Sequence, residues 1–139
     1  ALEVNGYALS SERWEGAKTM REVGPEIIAA LKGTVVVGHN VGYDLDMLNG
    51  HMERVGLSPR LPYHKVDTVA LAYTRLVPLG LEKLSLDTIR AFLGWSKEGA
   101  HTAAKDVGDT ERLYRLLTRS TTFGLRVGLW FRKVIGREV

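Results

Sequence analysis

Thr34-Val35-Val36-Val37-Gly38-His39-Asn40-Val41-Gly42-Tyr43-Asp44 is the stretch on which the reading of this chain turns. Its first four residues are a short, continuous β-branched run, suited to a buried strand. Gly38 and Gly42 allow a tight turn after it. Leu45, Leu48, Met52 and Val55 then recur as one helical stripe that stops at Gly56. Asp44 therefore lies at a strand-to-helix junction.

A second segment, His101-Thr102-Ala103-Ala104-Lys105-Asp106, opens another amphipathic stretch. The pattern predicts a helix from about Thr102 to Thr118, with Val107, Thr110, Tyr114 and Leu117 as its inward stripe. Two acids and a histidine at the starts of helices can be gathered at one point. Divalent cations demand hard oxygen ligands, and activation of water demands a base that titrates near neutrality. The two segments together predict metal-dependent hydrolysis of a phosphate ester.

His39-Asn40-x-x-Tyr43-Asp44 resembles the second motif of the DEDDh family of 3′–5′ exonucleases, the DnaQ-like proofreading type with a ribonuclease H-like fold. His101-x-Ala103-x-x-Asp106 resembles its third motif, including the His-to-Asp spacing. Val66-Asp67-Thr68 with Leu71-Ala72, and Leu84-Ser85-Leu86-Asp87, also fall where that family carries similar segments. The resemblance runs from about Asn5 to about Leu117, and the order and separation of the two main motifs make it specific.

The family's first motif is an Asp-x-Glu on an opening strand, followed by two more strands. This sequence starts Ala1-Leu2-Glu3-Val4-Asn5-Gly6-Tyr7 and reaches Asp44 too soon to hold them. Ala1-Leu2-Glu3 mimics a broken Asp-x-Glu, but the residues after it read as loop and helix. The expectation is an α/β fold, ribonuclease H-like, truncated at its N-terminus and helix-rich in what remains. Residues 1–139 would form a single exonuclease-like domain, with 1–18 as an N-terminal loop region and 119–139 as a basic amphipathic C-terminal helix.

The length suffices for a core, and 45% hydrophobic with 25% charged residues is ordinary for a globular protein. No run of about 18 apolar residues occurs, so no membrane partner is expected, and no signal pattern opens the chain, which favours the cytoplasm. There is no cysteine, which excludes disulfide scaffolding and thiolate zinc sites. A net charge of +3 leans mildly towards a polyanionic partner.

Thr19-Met20-Arg21-Glu22 has the capping-box pattern, and Val23, Ile27, Ala30 and Leu31 follow at helical spacing to Gly33. A short second strand is expected around Lys65-Val66. Asp67 reads as the cap of a helix through Leu76, which Pro78 stops. Ser85 reads as the cap of a helix from Leu86 to Leu93, closed by Gly94. The tail from Thr121 to Val139 fits a helix that packs through Phe123, Val127, Trp130, Phe131 and Val134. Arg126, Arg132, Lys133 and Arg137 would lie near that arc as a basic rim able to track phosphates.

Taken one at a time, these residues also have plainer readings. Asp44 and Asp106 are favoured electrostatically near helix N-termini whatever else they do. His101 alone would be a solvated loop histidine, and His39 reads as structural. Tyr43 is either a ring that stacks on a base or a core aromatic with its hydroxyl at the surface. Lys105 reads as part of a solvated face, and Asp46, Asp87 and Asp109 as surface or capping acids.

The resemblance implies two Mg²⁺ or Mn²⁺ ions about 3.5–4 Å apart. Asp44 and Asp106 would be metal ligands, His101 the general base, and Asn40 and Tyr43 contacts to the terminal nucleotide. The remaining ligands would come from the absent Asp-x-Glu, which predicts impaired hydrolysis. The implied partner is nucleic acid, through single-stranded 3′ ends of DNA or RNA, with a polymerase or a second copy as a further partner. The alternatives are a catalytically silent nucleic-acid-binding remnant and a partner-docking module of the same fold.

Overall fold

The computed structural model describes residues 15–135. Glu3 and the opening residues of the N-terminal loop region lie outside the described residues. The chain divides into two compact units, Ala1–Val66 and Asp67–Val139.

In the first unit, helix α1 spans Met20–Leu31. Its start follows the capping-box logic: the Thr19 backbone N–H and hydroxyl both donate to Glu22 Oε2, at 2.7 Å each. These bonds hold the Glu22 carboxyl below its ordinary pKa. Strand β1 (Val36–Gly38) leads into helix α2 (Val41–Arg54), and strand β2 (Lys65–Asp67) follows. The two strands pair in parallel as a two-stranded sheet. Leu45 and Met52 of α2 are buried, as their spacing predicts.

The strand departs from its expected form. It begins at Val36 rather than Thr34, and Val35 is 57% exposed while Val37 is also exposed. A run of valines suits burial on two faces, but among the described residues β1 has only β2 beside it in the sheet. The turn after β1 differs too. Neither Gly38 nor Gly42 takes a positive φ; Asn40 does, at 64°. Gly38 is needed for space instead, since a Cβ there would lie 2.7 Å from Val41 Cβ.

The second unit is helical: α3 (Thr68–Arg75), a 3-10 turn Val77–Leu79, α4 (Leu86–Leu93), α5 (Ala103–Arg119) and α6 (Thr122–Ile135). Asp67 caps α3, accepting from the Val69 N–H at 2.9 Å, and Ser85 caps α4 through the Thr88 N–H, both as their sequence positions predict. Gly94 ends α4 in the left-handed conformation, φ 77°. The core is Ala72, Leu76, Leu81, Ile89, Leu93, Trp95, Leu113, Leu117 and Leu125. The Arg112 guanidinium lies 4.4 Å over the Trp95 ring, a cation–π contact on the rim of that core.

Two helices are rotated from their expected phase. In α5 the buried residues are Asp109, Thr110, Leu113 and Leu117, whereas Val107 is exposed. In α6 Leu125 is buried and Leu129 packs against the core, while Phe123 and Trp130 face outward. The expected packing arc is therefore turned away from the core at those two positions. Arg132 lies close to Gly94, where a Cβ would meet its Cδ at 2.5 Å, so its stem points inward rather than along an outer rim. Arg126 remains exposed. Phe131, Lys133, Val134 and Arg137 lie outside the described side chains. Among the described residues no helix is long and apolar enough to cross a membrane.

Candidate active site

In the first unit the candidate residues cluster at the start of α2. Asn40 is the N-cap residue, held in the left-handed region that asparagine tolerates better than most residues. The Tyr43 N–H donates to Asn40 O at 3.0 Å. Asp44 lies in the first turn, so it is not the cap, and it is exposed. Tyr43 is 62% exposed, which removes the core-aromatic reading and leaves a ring available to a flat partner.

In the second unit the structure gathers more than the sequence indicated. At its centre is Arg90 of α4, only 1% exposed, a residue the sequence pattern does not single out. Each of its nitrogens takes a different carboxylate. Nε donates to Asp109 Oδ2 at 2.6 Å, Nη1 to Asp87 Oδ1 at 2.7 Å, and Nη2 to Asp106 Oδ1 at 2.5 Å. Burial works against the guanidinium charge, but these three bonds outweigh it and push its pKa further up. Burial likewise opposes the Asp109 charge, yet Lys105 and Arg90 together hold that carboxyl below its ordinary value.

The second oxygen of each carboxylate has its own assignment. Asp109 Oδ1 accepts from Lys105 Nζ at 2.7 Å. Asp87 Oδ2 lies 3.4 Å from His101 Nε2. Both bonds to the Asp106 carboxylate, from Arg90 and from the His101 backbone N–H at 3.3 Å, fall on Oδ1. Among the described residues Oδ2 of Asp106 takes none, and the side chain is 39% exposed. Its hard, partly exposed oxygen is suited in kind to a Mg²⁺ or Mn²⁺ ion. In number the ligands fall short: among the described residues no three His, Cys, Asp or Glu side chains come together in a group that could hold a metal.

His101 and Asp106 lie together at the start of α5, joined through the His101 backbone N–H and by the shared Asp87–Arg90 pair. His101 itself sits at φ 68°, a conformation uncommon outside glycine. Three sequence readings are corrected here. Asp109 is buried and ion-paired rather than a surface acid, because Arg90 and Lys105 meet its charge. Asp87 faces Arg90 and His101 rather than serving only at the helix start. Lys105 is committed to Asp109 rather than solvated. The signal for all three was Arg90 on the apolar face of α4, at Ile89 + 1 and Leu93 − 3, where a cation requires carboxylate company.

No protein-family model matches the chain, and no solved structure matches it. Known proteins do. Over 122 residues it is 32% identical to DNA polymerase III subunit epsilon of Aquifex aeolicus, covering 87% of this chain and 54% of that protein. Over 113 residues it is 31% identical to the PolC-type DNA polymerase III of Thermotoga maritima, covering 81% of this chain and 8% of the far longer relative. A third match, 33% over 76 residues, is to subunit epsilon of Treponema pallidum, covering 55% of this chain and 35% of that protein. The chain thus spans about half of one of these relatives and a small part of another. At about 30% identity over most of its length, the chain is similar to DNA polymerase III epsilon and PolC-type proteins, homologues of the DnaQ-like exonuclease family.

Proposed function

We propose that this chain is a 3′–5′ exonuclease-type domain with a ribonuclease H-like fold, acting on single-stranded 3′ ends in association with a DNA polymerase. The observation that carries the reading is the His101–Asp106 arrangement at the start of α5, with one Asp106 oxygen anchored and the other open. Names of the matching proteins support the polymerase association.

Asp106 in the second unit, and Asp44 in the first, are each proposed as a hard-oxygen ligand of Mg²⁺ or Mn²⁺. Such ions, where bound, would supply activation of water and stabilisation of the leaving 3′ oxygen. With Nε2 of His101 3.4 Å from Asp87 Oδ2, a proton carried on that nitrogen would leave Nδ1 to accept one, the role of a general base. Tyr43 would stack on the terminal base, with Asn40 beside it. The described residues hold too few ligands in one group for a strong site, so the 139-residue chain by itself should hydrolyse slowly.

The test is release of mononucleotides from a 3′-labelled single strand in Mn²⁺, with protein in excess. Slow release that disappears in Asp106→Asn and in His101→Ala supports the proposal. Release unaffected by either substitution removes this site from consideration. Binding of the strand with no release at any metal concentration favours the silent binding module, a reading that the sparse ligand group keeps in play.

A further inference from the structure

We infer that the outward face of α6, formed by Phe123, Arg126 and Trp130, binds single-stranded nucleic acid, the two rings stacking on bases and the guanidinium meeting the phosphates between them. The strand comes from the function proposed above, whereas the face shares no residue with the His101–Asp106 site.

A helix turns about 100° per residue, so positions 123, 126, 127 and 130 share one side of α6 and positions 125, 129 and 132 the other. The structure divides them in the same way. Leu125 is buried, Leu129 packs against the core, and the Arg132 stem lies against Gly94. On the far side Phe123 is 76% exposed, Trp130 is 58% exposed and Arg126 is exposed, with Val127 half-buried beside them. The leucines hold the helix to the core, and two large rings are left in water. Aromatic surface grouped on one face, unlike a ring exposed singly, marks a contact surface.

The charge on this helix fits a polyanion. α6 contains Arg126, Arg132 and Lys133 and no Asp or Glu. Arg126 stands three residues after Phe123 and four before Trp130, which puts it beside both rings. No acid lies within a turn of it along the helix to form an ion pair. Phe123 and Trp130 are seven residues apart, about 10 Å along the axis, so they present two separate flat faces with a cation between. Every base has a π-face, and such a pair holds a strand without reading its sequence while the cation follows the backbone. Arg119, exposed in the last turn of α5, adds positive charge three residues before α6 begins.

The test is the anisotropy of a labelled oligothymidylate titrated with the 139-residue chain, without divalent metal and at several salt concentrations. Phe123→Ala and Trp130→Ala each remove one ring, and Arg126→Gln removes the cation. All three positions are exposed, so circular dichroism should show an unchanged fold. Loss of either ring is expected to weaken binding about 5–100-fold, the usual effect of losing one stacked base. Arg126→Gln is expected to reduce the slope of log affinity against log salt by about 0.7, the share of one phosphate on a single strand. Should Trp130→Ala lose its fold, Phe123→Ala, at the more exposed ring, reads the same outcome. Ring variants that bind as the wild type does overturn the inference and leave the proposed function to its own release assay. A wild type that binds no strand overturns it as well. If the chain sediments as a dimer that the ring variants split, with strand affinity unchanged, the face belongs to a second copy instead.

Discussion

Arg90 shows how a single residue changes the meaning of its neighbours. Removing a buried cation while its acids remain leaves uncompensated charge, an effect of about 3–5 kcal/mol. Arg90→Met should lower unfolding stability by that amount in urea titrations, with Lys105 on Asp109 keeping the loss towards the lower end. The acid limb of stability follows from the same network. Asp109 has a lowered pKa in the folded state, so the unfolded chain takes up its proton first as pH falls. The Asp109 contribution is therefore fully present above about pH 4, the ordinary carboxyl value, and is lost as pH falls through the lowered one. Urea midpoints measured from pH 6 down to pH 2 should fall more steeply for wild type than for Asp109→Asn. Parallel curves would show that the pairing has no such effect.

At the scale of elements, the legible features were those written in local chemistry. Thr19–Glu22, Asp67, Ser85 and Gly94 each mark a helix end by a side-chain bond or a left-handed φ, and each helix end lies where these residues place it. Helix phase was less legible. Val107 and Phe123 are apolar and face outward, whereas Asp109 and Arg90 are charged and face inward. Hydrophobic periodicity alone cannot find an inward ion pair, because each partner separately reads as surface; only the pair satisfies burial. The exposure of Val35 and Val37 had the same origin, since a β-branched run states a preference for burial and not which neighbour provides it. Gly94 offers a test at this scale. Its φ of 77° and the nearby Arg132 side chain oppose any Cβ, so Gly94→Ala should destabilise by about 1–2 kcal/mol, the cost of a left-handed L-residue, read from the urea midpoint.

For the molecule as a whole, the motif pair in the sequence pointed to a family that relatives from three bacteria bear out. The candidate residues were only partly legible. His101, Asp106, Asp44, Asn40 and Tyr43 were visible as motif positions and Asp87 lay in a segment similar to the family's, while the pairing of Asp87 and Asp106 through Arg90 emerged only when α4 and α5 were packed together. The central claim of the proposed function is that His101 and Asp106 serve one reaction. Residues that act as a unit have losses that do not add. The most direct measurement is the single-turnover rate of terminal nucleotide release in Mn²⁺ for wild type, His101→Ala, Asp106→Asn and the double variant. The account predicts that each single change costs nearly the whole rate and that the double variant is no slower than either. Losses that multiply, or a His101→Ala variant that keeps the wild-type rate, would contradict it.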